Sequence, residues 1–172
     1  MKKIFGLLIL GFVFLGRVDA SPQIGQVAPN FECVTADGQT VQLSDYRGKV
    51  VILDFWASWC GPCREEMPFL VELYQLKGER DFEILGVNID NKKKNMETFL
   101  SQLDDRPSFP ILLDKEKKIA ALYEIETMPT TIFIDRQGVI RFWHHGFTKS
   151  HKEKYRSELQ LLLERDNRRV AK

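Results

Sequence analysis

Two hydrophobic periods alternate along the chain, and the switches between them predict an α/β domain. Val50-Val51-Ile52-Leu53-Asp54-Phe55-Trp56 is apolar at every position but one, the pattern of a central strand covered on both faces. From Cys63 to Lys77, Met67, Leu70, Val71 and Tyr74 recur at steps of three and four, the period of an amphipathic helix. Phe82 to Ile89 reads as a second strand. Asn95 to Leu103 reads as a short helix carrying Met96, Phe99, Leu100 and Leu103. Phe109 to Leu113 is a brief extended segment, and Lys117 to Tyr123 a short helix. Two hairpins are expected: Asn30–Val34 with Thr40–Leu43 around Ala36-Asp37-Gly38, and Thr130–Ile134 with Val139–Trp143 around Asp135-Arg136-Gln137-Gly138. Ser150 to about Asp166 closes the chain as a helix with Tyr155, Leu159, Leu162 and Leu163 on one side. No repeat or low-complexity linker interrupts this order, so residues 21–172 form one domain.

The first twenty residues stand outside that pattern. Met1-Lys2-Lys3 is a positive start, Ile4 to Gly16 is almost wholly apolar, and Val18-Asp19-Ala20 offers small side chains where a signal peptidase reads. The apolar run falls short of the about 20 residues that span a bilayer as a helix. The segment therefore reads as a secretory signal cut after Ala20, with an uncleaved anchor as the alternative. Either reading puts the domain in the periplasm or on the outer face of the cytoplasmic membrane. The composition, 44% hydrophobic and 28% charged in 172 residues, supplies an ordinary core. A net charge of +1 leaves no basic field for nucleic acid.

Three cysteines are too few for a disulfide framework. Two of them, Cys60 and Cys63, bracket Gly61-Pro62 at the junction of a predicted strand and a predicted helix. Unpaired backbone N–H groups and the positive end of the helix dipole meet there, which favours a thiolate at Cys60. Cys63 lies three residues on, on the same side of the first turn, within disulfide reach. Pro62 suits the first turn because its missing N–H had no partner there. The dithiol thus reads as a redox pair, with Cys60 the exposed attacking thiol and Cys63 the buried resolving one. A structural bridge or half of a zinc site are the alternatives. Zinc would need further ligands, and His144 and His145, adjacent on a strand, point to opposite faces. No cofactor is implied.

Asp54 interrupts an apolar strand, so it faces water or is held with a raised pKa. Glu66 shares the side of the helix on which Cys63 lies, while Glu65 faces solvent. An acid in a first helical turn also suits the dipole alone. Cys33 reads as a small buried hydrophobe, with intermolecular pairing as the alternative. Trp56 and Trp59 are candidates to line the site, and the Lys92-Lys93-Lys94 run reads as a solvated loop.

Val50 to Cys63 resembles the active-site segment of thioredoxins. Ala28-Pro29-Asn30-Phe31, Leu43-Ser44-Asp45-Tyr46-Arg47-Gly48-Lys49 and Met128-Pro129-Thr130-Thr131 resemble the exported TlpA/ResA branch, over essentially all of residues 24–165. The resemblance implies a thioredoxin fold: a mixed central sheet flanked by helices, with an N-terminal β-hairpin extension and a central αβ insertion. It implies that Asp54 accepts the Cys63 proton, and that Glu66 sits where the branch uses a glutamate. It also implies that Pro129 is cis, with the Met128 backbone, Trp59, Gly61 and Pro62 facing substrate. The X–Pro base rate alone points to trans. Two departures from the branch are the Gly-Pro linker, as in cytoplasmic thioredoxin, and Thr127 where Gly is frequent.

By resemblance the activity is a protein-disulfide reductase, a monomer. It would act on exported proteins, apocytochrome c among them, and be re-reduced by a membrane-embedded thiol donor. The Gly-Pro linker favours this direction: thioredoxin works near about −270 mV, a strong periplasmic oxidant near about −120 mV. A dithiol oxidase or isomerase is the first alternative. A thiol peroxidase is the second, because Gly25 to Phe31 also resembles peroxiredoxin openings. A binding module with an idle dithiol is the third.

Overall fold

The computed structural model describes residues 22–78 and 81–170, with side chains as far as Glu164. The segment read as a signal, residues 1–20, lies outside the described residues.

Seven strands and four helices follow in the order β1 (Glu32–Val34), β2 (Thr40–Gln42), β3 (Val50–Trp56), α1 (Gly61–Gln75), β4 (Phe82–Asn88), α2 (Lys93–Leu100), β5 (Ile111–Leu113), α3 (Lys118–Leu122), β6 (Thr130–Ile134), β7 (Ile140–His145) and α4 (His151–Val170). A 3-10 turn, Leu43–Tyr46, precedes β3. The main sheet runs β5-β4-β3-β6-β7. β4 pairs parallel with both β3 and β5, whereas β6 pairs antiparallel with β3 and with β7. This is the mixed sheet flanked by helices of a thioredoxin fold. α2 and β5 form the inserted αβ unit, and β1–β2 is a separate two-stranded ribbon.

Every residue of β3 and β4 is buried, as expected of central strands with both faces covered. Backbones close up where Gly86 of β4 lies opposite Asp54. A Cβ there would stand 3.1 Å from Trp56 Nε1 and 3.0 Å from Ile111 Cδ1. Trp56 uses that space to lie against Phe99 of α2, 5.4 Å between ring centroids. It is therefore a core side chain and not a lining of the site.

The N-terminal extension touches both edges of the sheet. The Gly25 and Ala28 N–H groups donate to Ile140 and Gly138 beside β7, and the Ala36 N–H donates to Ile111 of β5. These contacts occupy part of each edge that would otherwise be open to another chain. Tyr123 ties the extension down, its hydroxyl donating to the Pro29 carbonyl at 2.7 Å and its ring packed on Phe31 and Phe55. Cys33 of β1 is only half-buried, less enclosed than expected, because the two-stranded ribbon has a single covered face. Lys93 and Lys94 belong to the first turn of α2, and Lys93 donates to the Ala36 carbonyl at 2.7 Å, so that run is only partly a loop.

Candidate active site

Cys60 and Cys63 are joined by a disulfide, with Cα atoms 5.3 Å apart. α1 starts two residues earlier than periodicity predicts. Its first helical residue, Gly61, carries no apolar signal, and Cys60 is the N-cap. The Cys63 N–H points at Cys60 Sγ from 3.2 Å. A sulfur in that place takes the hydrogen bond that a capping oxygen would take, and a thiolate takes it more strongly. Both cysteines are buried, Cys60 at 5% and Cys63 at 1% exposure. The expected contrast between an exposed and a buried sulfur is thus small in the oxidised state, where Cys60 is turned toward its partner.

Exposure is concentrated in the residues around the sulfurs. Trp59 is 65% exposed, and Gly61 and Pro62 are open as well. The Met128–Pro129 peptide is cis, as the resemblance implies. Met128 is half-buried, and its backbone makes no hydrogen bond among the described residues, whereas the Pro129 carbonyl accepts from the Gly146 N–H at 2.7 Å. Thr127 keeps a negative φ and accepts from the Thr130 hydroxyl at 2.8 Å, so this loop needs no glycine.

Behind the disulfide lie two carboxyls. Asp54 on β3 is 1% exposed and Glu66 on α1 is 0% exposed, while Glu65 is open to solvent. The helical spacing Cys63, Glu66, Met67, Leu70 places Glu66 on the buried face. Burial drives Asp54 far above the usual carboxylate range, and the neighbouring Glu66 charge drives it further. Glu66 rises to about 7, again through burial, against the lowering effect of Thr131 and Tyr155. Two such groups, both raised toward the range where protons exchange, can take up and return protons near the dithiol.

Sequence reasoning missed three contributors. Thr131 on β6, opposite Asp54, donates to Glu66 Oε1 at 2.8 Å and lies 3.4 Å from Asp54 Oδ1. Tyr155 on α4, fully buried, donates to Thr131 Oγ1 at 3.0 Å. Asp90, after β4, receives the Ser58 N–H at 3.0 Å, the Ser58 hydroxyl at 2.9 Å and the Asn88 amide at 2.9 Å. It thereby pins the loop that delivers Trp59 and Cys60. The available signal was a polar residue at an apolar position, and only Asp54 stood out enough to be read. The histidines behave as the strand alternation requires: His144 is buried and His145 exposed.

A vicinal dithiol capping a helix, a cis proline and buried carboxyls behind it define a thiol–disulfide oxidoreductase of the thioredoxin fold. Residues 24–143 match the AhpC/TSA family. A thiol-disulfide oxidoreductase ResA from Geobacillus thermodenitrificans is 38% identical over 69% of this chain and 67% of its own length. A crystal structure from Chlorobium tepidum, assigned as a thiol:disulfide interchange protein DsbE, superposes with a TM-score of 0.78 at 36% identity. It covers 83% of this chain and 99% of that one. An exposed lipoprotein thioredoxin from Streptococcus pneumoniae superposes at 0.66 with 33% identity, covering 78% of this chain and all of that one. The chain belongs to the AhpC/TSA family, and within it to the thiol–disulfide oxidoreductases of the ResA type.

Proposed function

We propose that the protein works outside the cytoplasm as a reductant of disulfides in exported proteins. The observation that carries this reading is the Cys60–Cys63 pair with its Gly-Pro linker at the head of α1. Cys60 thiolate attacks a substrate sulfur, the substrate disulfide breaks, and one substrate thiolate leaves. Cys63 then gives its proton to the Asp54–Glu66 pair and attacks Cys60 Sγ, which releases the second substrate thiol and closes the enzyme disulfide. Two electrons pass from the dithiol to the substrate, and a membrane-embedded thiol donor restores them. Trp59, Gly61, Pro62, Met128 and Pro129 form the substrate face: the free Met128 backbone suits pairing with an extended segment.

The extracytoplasmic setting is supported by the N-terminal pattern and by the exposed lipoprotein among the similar structures. Among the described residues no helix is long and apolar enough to cross a membrane. Apocytochrome c is the client that the sequence resemblance favours, and the protein acts as a monomer. A peroxidase reading would need the reactive cysteine in a Pro- and Thr-containing loop, and Trp59-Cys60-Gly61-Pro62 is not one.

Cys63→Ser, expressed in the native cell, traps Cys60 in mixed disulfides whose attached proteins name the clients. The couple's potential sets the direction: a value above about −180 mV replaces the reductase with an oxidase or isomerase.

A further inference from the structure

The proton count behind the dithiol is asymmetric. Tyr155 has one O–H and gives it to Thr131 Oγ1. Thr131 therefore has one hydrogen left to give, and it lies 2.8 Å from Glu66 Oε1 against 3.4 Å from Asp54 Oδ1. One hydrogen cannot serve both carboxyls, and 3.4 Å is beyond the usual O–H···O range. The phenol cannot reverse the chain by ionising, because burial and the neighbouring carboxylates hold it far above its ordinary range. Tyr155 also lies beside Glu66 itself and stabilises its charged form. The chain of donors thus ends on Glu66, Tyr155 giving to Thr131 and Thr131 giving to Glu66, and Asp54 receives no hydrogen from it. The second Glu66 oxygen, Oε2, is buried and has no partner among the described residues.

We propose that Thr131 and Tyr155 are positioning residues that hold the single proton of the carboxyl pair on Asp54 and keep Glu66 ionised. This placement of the proton does not depend on the reductase reading. In the resolving step of that reading the Cys63 S–H bond breaks, its proton passes to the carboxyl pair, and its electron pair forms the bond to Cys60 Sγ. The substrate thiolate displaced from Cys60 then takes a proton, so charge balances at each stage.

The other titratable groups around this network are few. Cys63 comes from α1. Around the Tyr155 ring stand His144 of β7, at 5.0 Å between centroids, and His151 of α4, at 5.9 Å. Burial holds His144 below the ordinary histidine range despite Glu158, whose carboxyl lies 2.6 Å from Nε2, with Lys154 nearby opposing a charge on the ring. An imidazole therefore also titrates beside this network, and the test must observe the carboxyls directly.

The experiment follows the side-chain carboxyl carbons of Asp54 and Glu66 by NMR against pH in the oxidised full chain, for wild type, Thr131→Val, Thr131→Ser and Tyr155→Phe. Glu66 ionises before Asp54 in wild type. Thr131→Val raises the Glu66 midpoint by roughly one pH unit, the size expected when a charged group loses a donor. Tyr155→Phe raises it by less, and Thr131→Ser, which keeps the hydroxyl, restores the wild-type value. A purely structural role would lower stability and leave these midpoints in place. The assignment is overturned if Asp54 ionises first, or if Glu66 titrates identically in Thr131→Val, or in Tyr155→Phe should the valine variant fail to fold. The oxidised protein turns nothing over, so failure to reduce a disulfide peptide sinks the reductase reading separately. Where turnover is seen, the pH–rate profile of Tyr155→Phe moves in the same direction as the Glu66 midpoint.

Discussion

Glu66→Gln stabilises the oxidised protein at pH 8 and leaves it almost unchanged at pH 4. Glu66 is wholly buried, and its carboxyl titrates at about 7 in the fold against the ordinary 4.5. The gap is about 2.5 pH units, and each unit corresponds to about 1.4 kcal/mol, so the fully ionised group burdens the fold by roughly 3 kcal/mol. The sign follows from a raised carboxyl. Below pH 4.5 the group is protonated in both states and contributes nothing. As pH climbs from 4.5 through 7 the unfolded chain ionises first, and stability falls. Above 7 the loss is complete. Gln carries no charge, still accepts from Thr131, and puts an amide hydrogen where Oε2 has no partner. Urea unfolding of oxidised wild type and variant at pH 4, 6 and 8 should show an advantage growing from near zero to roughly 3 kcal/mol. In a domain of this length that is about 6–12 °C in Tm. A difference that stays constant across pH refutes the buried-charge account.

Other consequences are smaller or more local. Absorbance titration of the reduced protein should find the Cys60 thiol well below the roughly 8.5 of free cysteine, because its thiolate caps α1; a value at 8.5 removes the basis for its reactivity. Trp59→Ala, at a side chain 65% exposed, should change stability by less than about 0.5 kcal/mol yet raise KM for a disulfide peptide. Asp90→Asn should cost about 1–3 kcal/mol in thermal or urea unfolding, since one of three donors would then meet an amide N–H instead of an oxygen. Gly86→Ala should cost about 1–3 kcal/mol in the same measurement, with Trp56 fluorescence reporting the displaced ring.

Much of this molecule was legible because burial and periodicity coincide. β3 has no exposed position, and its apolar run says so. Cys63 and Glu66 share a helix face with Met67 and Leu70, so the spacing alone brings Glu66 inward. What stayed hidden depends on contacts between segments distant in sequence. Tyr155 counts as an apolar face residue by periodicity, and only the packing of α4 on the sheet sends its hydroxyl to Thr131. Thr131 is an ordinary strand former until β6 pairs beside β3 and sets it opposite Asp54. Trp56 and Trp59 look alike in the sequence, but strand geometry buries the first against Phe99 and the following turn exposes the second. The cis geometry at Pro129 came from resemblance, because the intrinsic preference of an X–Pro bond is trans.

Two energetic quantities separate a structural bridge from a working one here. A disulfide stabilises chiefly by closing a loop in the unfolded chain, and the gain grows with the residues enclosed. With cysteines three residues apart, the gain is about 2 kcal/mol, less than the roughly 3 of a fifteen-residue loop. Breaking this bond therefore removes only a minor part of the about 5–15 kcal/mol typical of a folded domain. The carboxyls behind it act in the opposite sense, since apolar side chains of similar volume at Asp54 and Glu66 would carry no buried charge. A weak bridge and a costly pair of acids, set together under the only stretch of open surface that carries an exposed tryptophan among the described residues, make sense as parts of a site whose sulfurs open and close while the surrounding sheet stays fixed.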